Sequence, residues 1–338
     1  MDNLQPPKLP IEPPAINGEA SGIDLREISE KVARLREHIA GVVVGQERAV
    51  ELILTTMLAD GHVLVEGVPG IAKTLLTRLI ARLVSADFRR IQFTPDLMPS
   101  DVLGNNVYNI KTQEFEFHRG PVFTNILLAD EINRAPAKTQ SALFEVMEER
   151  QSTIDGVTRP MPALYTVLAT QNPIEQEGTY RLPEAQLDRF LMKITMGYPS
   201  LDNELEILRR HHLRSAFGRL DDVKPVITVD ELLGLRAQLD KVIVDDSLMR
   251  YIALIIQQTR ISQALHLGAS PRASIGILRA SKAYALLQGR DFVIPEDIKT
   301  VLPPILQHRL ILTADAEMQG FTIEKVTQSL IDKVEVPK

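Results

Sequence analysis

The sequence predicts an α/β core built on a parallel sheet, carrying two β-hairpin insertions and followed by a smaller all-α domain. Three observations predict it. Gly67-Val-Pro-Gly-Ile-Ala-Lys73-Thr74 joins a short β-branched run at 62–66 to Leu75, Leu76, Leu79, Ile80 and Leu83, which recur at helical spacing. About 55 residues later, Asn125-Ile-Leu-Leu-Ala-Asp130-Glu131 places two acids after four apolar residues, the pattern of a central parallel strand emerging at its carboxyl end. Past Tyr198-Pro199 the strand patterns give way to helical ones. The divisions are residues 1–23 as an arm, 24–199 as the α/β core and 200–338 as the helical domain, two domains each long enough for its own core.

In order, the first 22 residues carry five prolines and little apolar periodicity, too little to offset the entropy of ordering. Asp24 caps a helix over about 24–40 whose Leu25, Ile28, Val32, Leu35 and Ile39 share a face, with Gly41 placed as a left-handed terminator. A second helix runs from Gln46-Glu47 to about Asp60. Strands follow at 62–66 and 90–93, a hairpin over 101–120 with its turn at Lys111 to Gln113, and the strand ending at Asp130. Pro136 suits the first turn of a helix over 136–149, on which Leu143, Phe144, Val146 and Met147 face inward. A second hairpin turns at Asp155-Gly156. Strands at 164–170 and 191–196 flank a short helix over 183–190, and helices near 202–213, 230–240, 245–263, 271–289 and 295–309 complete the chain.

A strand, tight turn and helix aim backbone N–H groups and the positive helix end at one point, which suits a polyphosphate. In that cradle of Gly67, Val68, Pro69, Gly70, Ile71, Ala72, Lys73, Thr74 and Leu75, the Lys73 ammonium neutralises the β- and γ-phosphates and the Thr74 hydroxyl holds Mg²⁺. Ala72 stands where glycine is usual and is tolerable if its φ is negative. Asp130 meets the same Mg²⁺ and Glu131 polarises the attacking water. The alternatives are an ordinary βα turn and acids that cap the next helix; the order and spacing of the two motifs favour ATP. Asn172, at the end of the 164–170 strand, can orient that water or be a turn residue before Pro173. Arg189 can face a neighbouring subunit or pair with Asp188 or Glu184, and Arg272 can point back at the nucleotide or be a solvated helix-start residue. Val43, Val44 and Gln46 can line an adenine pocket or pack the helix start.

A net charge of −6 offers no global basic field for nucleic acid. No window approaches about 18 uninterrupted apolar residues. The N-terminus lacks the order of a secretion signal and there is no cysteine, which fits the cytoplasm.

Taken together, GVPGIAKT, LLADEINRAP, ATQNP, LPEAQLDRF, SPRA and LLQGRDFVIPEDI…LQHRLIL resemble the MoxR family of AAA+ ATPases over about residues 25–312. The resemblance implies strand order 5-1-4-3-2, a helical lid, and a homo-oligomeric ring, commonly of six subunits, with ATP at its interfaces. It implies that the first hairpin interrupts the second core helix and that the second hairpin precedes the sensor strand. Asn172 then matches sensor 1, Arg189 the arginine finger and Arg272 sensor 2, and Ala72 is accepted by the family. Such proteins resemble chaperones that work with von Willebrand factor A domain partners in metal-cofactor insertion and complex maturation. A DNA-translocating motor would want Lys and Arg on the hairpin tips, where Lys111 lies near Glu114 and Glu116 and Asp155 near Arg159. A nucleotide-dependent scaffold would not need Lys73, Asp130, Glu131 and Asn172 together.

Overall fold

The computed structural model describes residues 23–68, 70–172, 179–180, 182–212, 220 and 223–337, so the expected arm lies outside the described residues apart from Ile23. Helix α1 (Leu25–Val42) starts where the Asp24 carboxylate accepts from the Glu27 amide at 3.1 Å, and it buries Ile28, Val32, Leu35 and Ile39. Gly41 does not end it. The helix runs through Gly41 into extended Val43, and the left-handed residue is Gly45 (φ 74°), which turns the chain into α2 (Glu47–Leu58) under the side chain of Asn203.

Five strands form one parallel sheet: β1 (Val63–Gly67), β2 (Phe88–Gln92), β5 (Ile126–Asp130), β8 (Thr166–Gln171) and β9 (Met192–Met196). Their lateral order is β2-β5-β8-β1-β9. Counted among themselves these are strands 2-3-4-1-5, the expected order read from the other edge. Because β1, β5 and β8 are parallel neighbours, their carboxyl ends, and whatever follows them, share one edge. Helix α3 (Lys73–Leu83) follows β1 and buries Leu76, Leu79, Ile80 and Leu83.

Helix α4 (Pro99–Leu103) is a single turn, and β3 (Gly104–Asn109) pairs antiparallel with β4 (Glu114–Arg119) directly after it. The second core helix does not resume beyond this hairpin as expected, since residues 120–125 turn straight into β5. Close backbone approach explains the break: a Cβ on Gly104 would strike the His118 carbonyl, and one on Gly120 the Val102 carbonyl. Helix α5 (Ala137–Glu149) buries Leu143, Phe144, Val146 and Met147, with extended Pro136 as its cap and not in its first turn. Strands β6 (Gln151–Ile154) and β7 (Val157–Pro160) make the second hairpin, before β8 as expected. Asp155 and Gly156 both have positive φ (51° and 76°), as a two-residue hairpin turn requires.

The short helix before β9 is only α6 (Glu184–Leu187), and beyond it the Asp188 and Phe190 carbonyls accept from the Arg309 guanidinium at 3.1 and 2.7 Å. The remaining helices are α7 (Leu201–His212), α8 (Val229–Gln238), α9 (Asp246–Ile261), α10 (Pro271–Leu287), α11 (Pro295–Leu306), α12 (Ala314–Met318) and α13 (Ile323–Lys333). The expectation of an all-α lid needs correction: β10 (Leu265–Leu267) pairs antiparallel with β11 (Ile311–Leu312). The chain leaving α11 passes back along the end of α9, where the Thr313 amide donates to the Ala264 carbonyl at 3.0 Å.

Separate cores were also expected, and the packing differs. One cluster of buried side chains runs from β1 and α3 through Val32, Leu35 and Ile53 of α1 and α2 to Ile277, Ile298 and Ile305 of the lid. A second cluster, with Leu127, Phe144, Tyr165 and Phe190, fills the opposite face of the sheet. Helices α1 and α2 are apolar towards both sheet and lid, so they fuse what would be two cores. No helix among the described residues is long and apolar enough to cross a membrane.

Candidate active site

The loop after β1 reaches α3 through two left-handed residues, Gly70 (φ 85°) and Ala72 (φ 67°). The condition under which alanine is tolerable here, a negative φ, is therefore not met. Glycine adopts this conformation without cost, whereas alanine there stores on the order of 1 kcal/mol, held by Ile71 packed into the core beneath it. Gly67 is required for contact, since a Cβ would strike Ile71 Cδ1 and the Met196 carbonyl. Val68 is partly buried, Leu75 is exposed on the first turn of α3, and Pro69 lies outside the described residues. Lys73 and Thr74 open α3, and Lys73 Nζ donates to the Gly67 carbonyl at 2.7 Å, which keeps the ammonium over the loop.

Asp130 ends β5 almost fully buried. Its Oδ1 accepts from the Thr170 hydroxyl at 2.5 Å and its Oδ2 from Arg90 Nη2 at 2.6 Å. Glu131 follows with φ 56°, a left-handed turn that swings its carboxylate out of line with the strand. Its amide donates to Thr170 Oγ1 at 3.0 Å, while Gln92 Nε2 and Arg134 Nη1 donate to its Oε2 at 2.7 and 3.0 Å. Asn172 is buried just beyond β8, beside Gln171, whose amide donates to Glu66 at 2.7 Å. Lys73, Thr74, Asp130, Glu131 and Asn172 therefore occupy one edge of three adjacent strands. The donor set fits Mg²⁺: a hydroxyl and one carboxylate are hard oxygens, few in number, leaving positions for phosphate and water. Arg90 is half exposed and can swing off Asp130 when a cation takes its place.

Arg189 and Arg272 are elsewhere. Arg189 stands three residues before the start of β9 and lies at the opposite, amino edge, beside His62 at the start of β1. A strand of five residues separates the two edges, roughly 16 Å and more than an arginine side chain can span. Arg189 Nε sits 3.7 Å from Glu148 Oε2, so its ion-pair partner is Glu148 and not the expected Asp188 or Glu184. Arg272 does not point back at the loop of its own chain. Its Nη2 donates to Glu148 Oε1 at 2.8 Å, and its Nη1 lies 3.6 Å from Asp188. The two arginines line one cavity of about 310 Å³ with Asp60, Arg279 and Arg309.

Residues 62–192 match the model of the ATPase family associated with various cellular activities, and residues 257–333 match the AAA lid domain. The chain is 48% identical to the uncharacterized protein YeaC of Bacillus subtilis over 89% of its length and 93% of the relative's. It is 46% identical to the chaperone MoxR1 of Mycobacterium tuberculosis over 88% of its length and 80% of the relative's. The chain belongs to the MoxR family of AAA+ ATPases. A crystal structure from Cytophaga hutchinsonii, described there as a candidate ATPase, superposes with a TM-score of 0.86 at 42% identity, covering 93% of this chain and 97% of that one. This MoxR protein is thus an ATP-hydrolysing chaperone by family.

Of the residues expected to line an adenine pocket, Val43 is buried in the common core, so that residue packs the helix start with its side chain. Val44 stays partly exposed. Gln46 Nε2 donates to the Gly197 carbonyl at 3.2 Å, and Gly45 and Gln46 border a cavity of about 470 Å³ closed by β9 and by Pro303, Pro304 and Gln307 of the lid. Sequence reading missed Arg90, Gln92, Arg134, Thr170 and Glu148. A faint signal existed for two of them, since Arg90 and Gln92 alternate on one face at the end of a strand.

Beneath the amino edge, His62 is buried, accepting at Nδ1 from the Val167 amide (3.0 Å) and donating from Nε2 to the Met147 carbonyl (3.2 Å). Burial, assisted by the nearby Arg150 charge, lowers its pKa from 6.5 to about 3, and buried His308 is lowered as well. The unfolded chain therefore binds more protons than the folded one between those values, so stability falls as pH drops below 6.5 and is indifferent to these groups above it. At a pH of about 5, His62 should cost about 2 kcal/mol, read as a lowered melting temperature. The His62→Gln variant should show a shallower slope over that window; parallel slopes would exclude His62 as the group.

Proposed function

We propose that Mg²⁺-ATP binds at the carboxyl edge and that Arg189 and Arg272 complete the site of a neighbouring subunit in a ring, commonly of six. The observation that carries this reading is the separation of the two groups: phosphate-loop, acids and Asn172 at one edge, both arginines at the other. A ring in which one subunit's amino edge meets the next subunit's carboxyl edge makes each site whole. In this reading residues 24–199 form the nucleotide-binding core and 200–338 the lid, with 1–23 as an arm.

Backbone N–H groups at the start of α3 and Lys73 Nζ hold the phosphates, the ammonium exchanging the Gly67 carbonyl for phosphate oxygen. Thr74 and Asp130 would hold Mg²⁺, which when bound would neutralise phosphate charge. Glu131 orients and polarises the attacking water once its carboxylate leaves Gln92 and Arg134, and Asn172 positions that water from the other side. Val44 and Gln46 border the base.

The work done is remodelling of a protein client in the cytoplasm with a von Willebrand factor A domain partner, in metal-cofactor insertion or complex maturation. Against a nucleic-acid motor, Asp155 is bonded by Asn106 at 2.5 Å, and the Arg159 guanidinium lies 3.7 Å over the Phe117 ring, turned onto the first hairpin. That hairpin exposes Tyr108, Ile110 and Phe115, an apolar tip suited to polypeptide. The test is capture from cell extract by Glu131→Gln protein with ATP and Mg²⁺. A protein with a von Willebrand factor A domain should copurify, and EDTA should abolish both its retention and the parent's turnover. Recovery of DNA in its place, or turnover undiminished by EDTA, would refute the proposal.

A further inference from the structure

We propose that Glu148 is a positioning residue for hydrolysis: it holds Arg189 of the core and Arg272 of the lid on one carboxylate, so that the two face a neighbouring subunit's γ-phosphate as a single clamp. This rests on the reading above that both arginines act across a subunit boundary. Each carboxylate oxygen takes one arginine, Oε1 meeting Arg272 Nη2 at 2.8 Å and Oε2 lying 3.7 Å from Arg189 Nε. An arginine has five N–H donors in a planar fork, so the edge turned to Glu148 leaves the other edge for a phosphate oxygen. Without such a partner, each long side chain would lose its rotamer freedom on engaging the phosphate. A carboxylate already holding both removes part of that loss and sets their spacing.

The surroundings make Glu148 a fixed point. It lies in the last turn of α5, whose end is tied down by Arg150, with hydrogen bonds to the Tyr165 carbonyl and, at 3.1 Å, to the Asp60 carbonyl. Arg309 of the lid uses all five donors on the Asp188 carboxylate and on the carbonyls of Asp188, Phe190, Leu191 and Ile305, which locks the backbone that carries Arg189. The side chains of Arg189 and Arg272, 30% and 52% exposed, share Glu148, and Arg272 Nη1 also lies 3.6 Å from Asp188. The charge balance also calls for an anion: Arg150, Arg189, Arg236, Arg272, Arg279 and Arg309 converge against Asp60, Glu148 and Asp188, in a chain of net charge −6. Helix α5 spans roughly 20 Å from the turn after Glu131 to Glu148, so one rigid element links a subunit's water-activating acid to the arginines it offers its neighbour.

The experiment measures ATP turnover and nucleotide affinity of assembled Glu148→Gln, Arg189→Ala and Glu148→Gln/Arg189→Ala proteins, and of Glu148→Gln and Arg189→Ala proteins each mixed with Lys73→Ala protein. Glu148→Gln should lower kcat on the order of 10-fold to 10²-fold with KM and nucleotide affinity unchanged, the size expected for misplacing a reacting group. The double variant should be slower than Arg189→Ala alone, but by less than the full factor of Glu148→Gln, because only the placing of Arg272 is then left to lose. Glu148→Asp, which keeps the charge but shortens the reach, should recover part of the loss. A merely structural ion pair at this exposure predicts unchanged kcat and a small shift in melting temperature. Wild-type kcat in Glu148→Gln, or losses that multiply in the double variant, would overturn the proposal. Mixing separates the two readings. Recovery of both variants in mixtures supports the clamp, and recovery of Arg189→Ala alone leaves the trans arginines standing and removes Glu148. Recovery of neither, in mixtures shown to co-assemble, overturns the trans reading and the clamp with it.

Discussion

Arg189→Ala protein should bind ATP as the parent does and turn it over roughly 10³-fold to 10⁵-fold more slowly, the range lost when an arginine donated to a phosphoryl transition state is removed. The loss falls on kcat because Arg189 lies at the amino edge, away from the loop that binds nucleotide in its own chain. A surface pair with Glu148 at 3.7 Å contributes 0–1 kcal/mol by itself, so a stability effect of its loss should be small. Combined with Lys73→Ala protein, the variant should regain turnover, because some interfaces then join an intact phosphate loop to an intact arginine. Turnover close to the parent's in Arg189→Ala protein would remove it from the chemistry altogether.

Lys73→Ala and Glu131→Gln should separate binding from turnover. Lys73 is a charge over the loop, held at the Gly67 carbonyl, and its loss takes away the positive side chain that the loop itself brings to the phosphates. Nucleotide binding should disappear in calorimetric titration. Glu131 does not face the loop in the same way: its carboxylate is engaged by Gln92 and Arg134, and glutamine keeps its size while removing the charge that polarises water. Affinity should persist while turnover falls by at least the 10² expected of a general base. Equal loss of binding in both variants would break the division of roles.

Legibility followed the range of the interactions. The helices α1, α2 and α5 and the central strands were readable because period 3.6 and unbroken apolar runs are written into consecutive residues. Their ends were less so. Gly41 resembles a terminator, yet nothing in residues 38–44 says that the chain goes on extended and turns at Gly45 beneath a side chain from α7. The φ of Ala72 was equally unreadable: it is positive, against alanine's own preference, beside Ile71 packed into the core. The chain just past α6 is held by Arg309, more than 100 residues away, whose guanidinium donates to the Asp188 and Phe190 carbonyls.

By itself the sequence determined the strand, phosphate loop and helix, the acids at the end of a central strand, the strand order through its family resemblance, and the membership that follows from these motifs in series. Each of these is local, or repeats in register, so it survives being read along a line. Only the tertiary structure decided that Arg189 and Arg272 meet on Glu148 at the far edge of the sheet, that Arg90 and Thr170 share Asp130, and that lid and core bury a common cluster. Arg272 and Glu148 stand 124 residues apart. Such pairs have no period and no spacing to betray them, because they are chosen by the packing of whole elements, and a charged side chain takes whichever opposite charge that packing brings within reach.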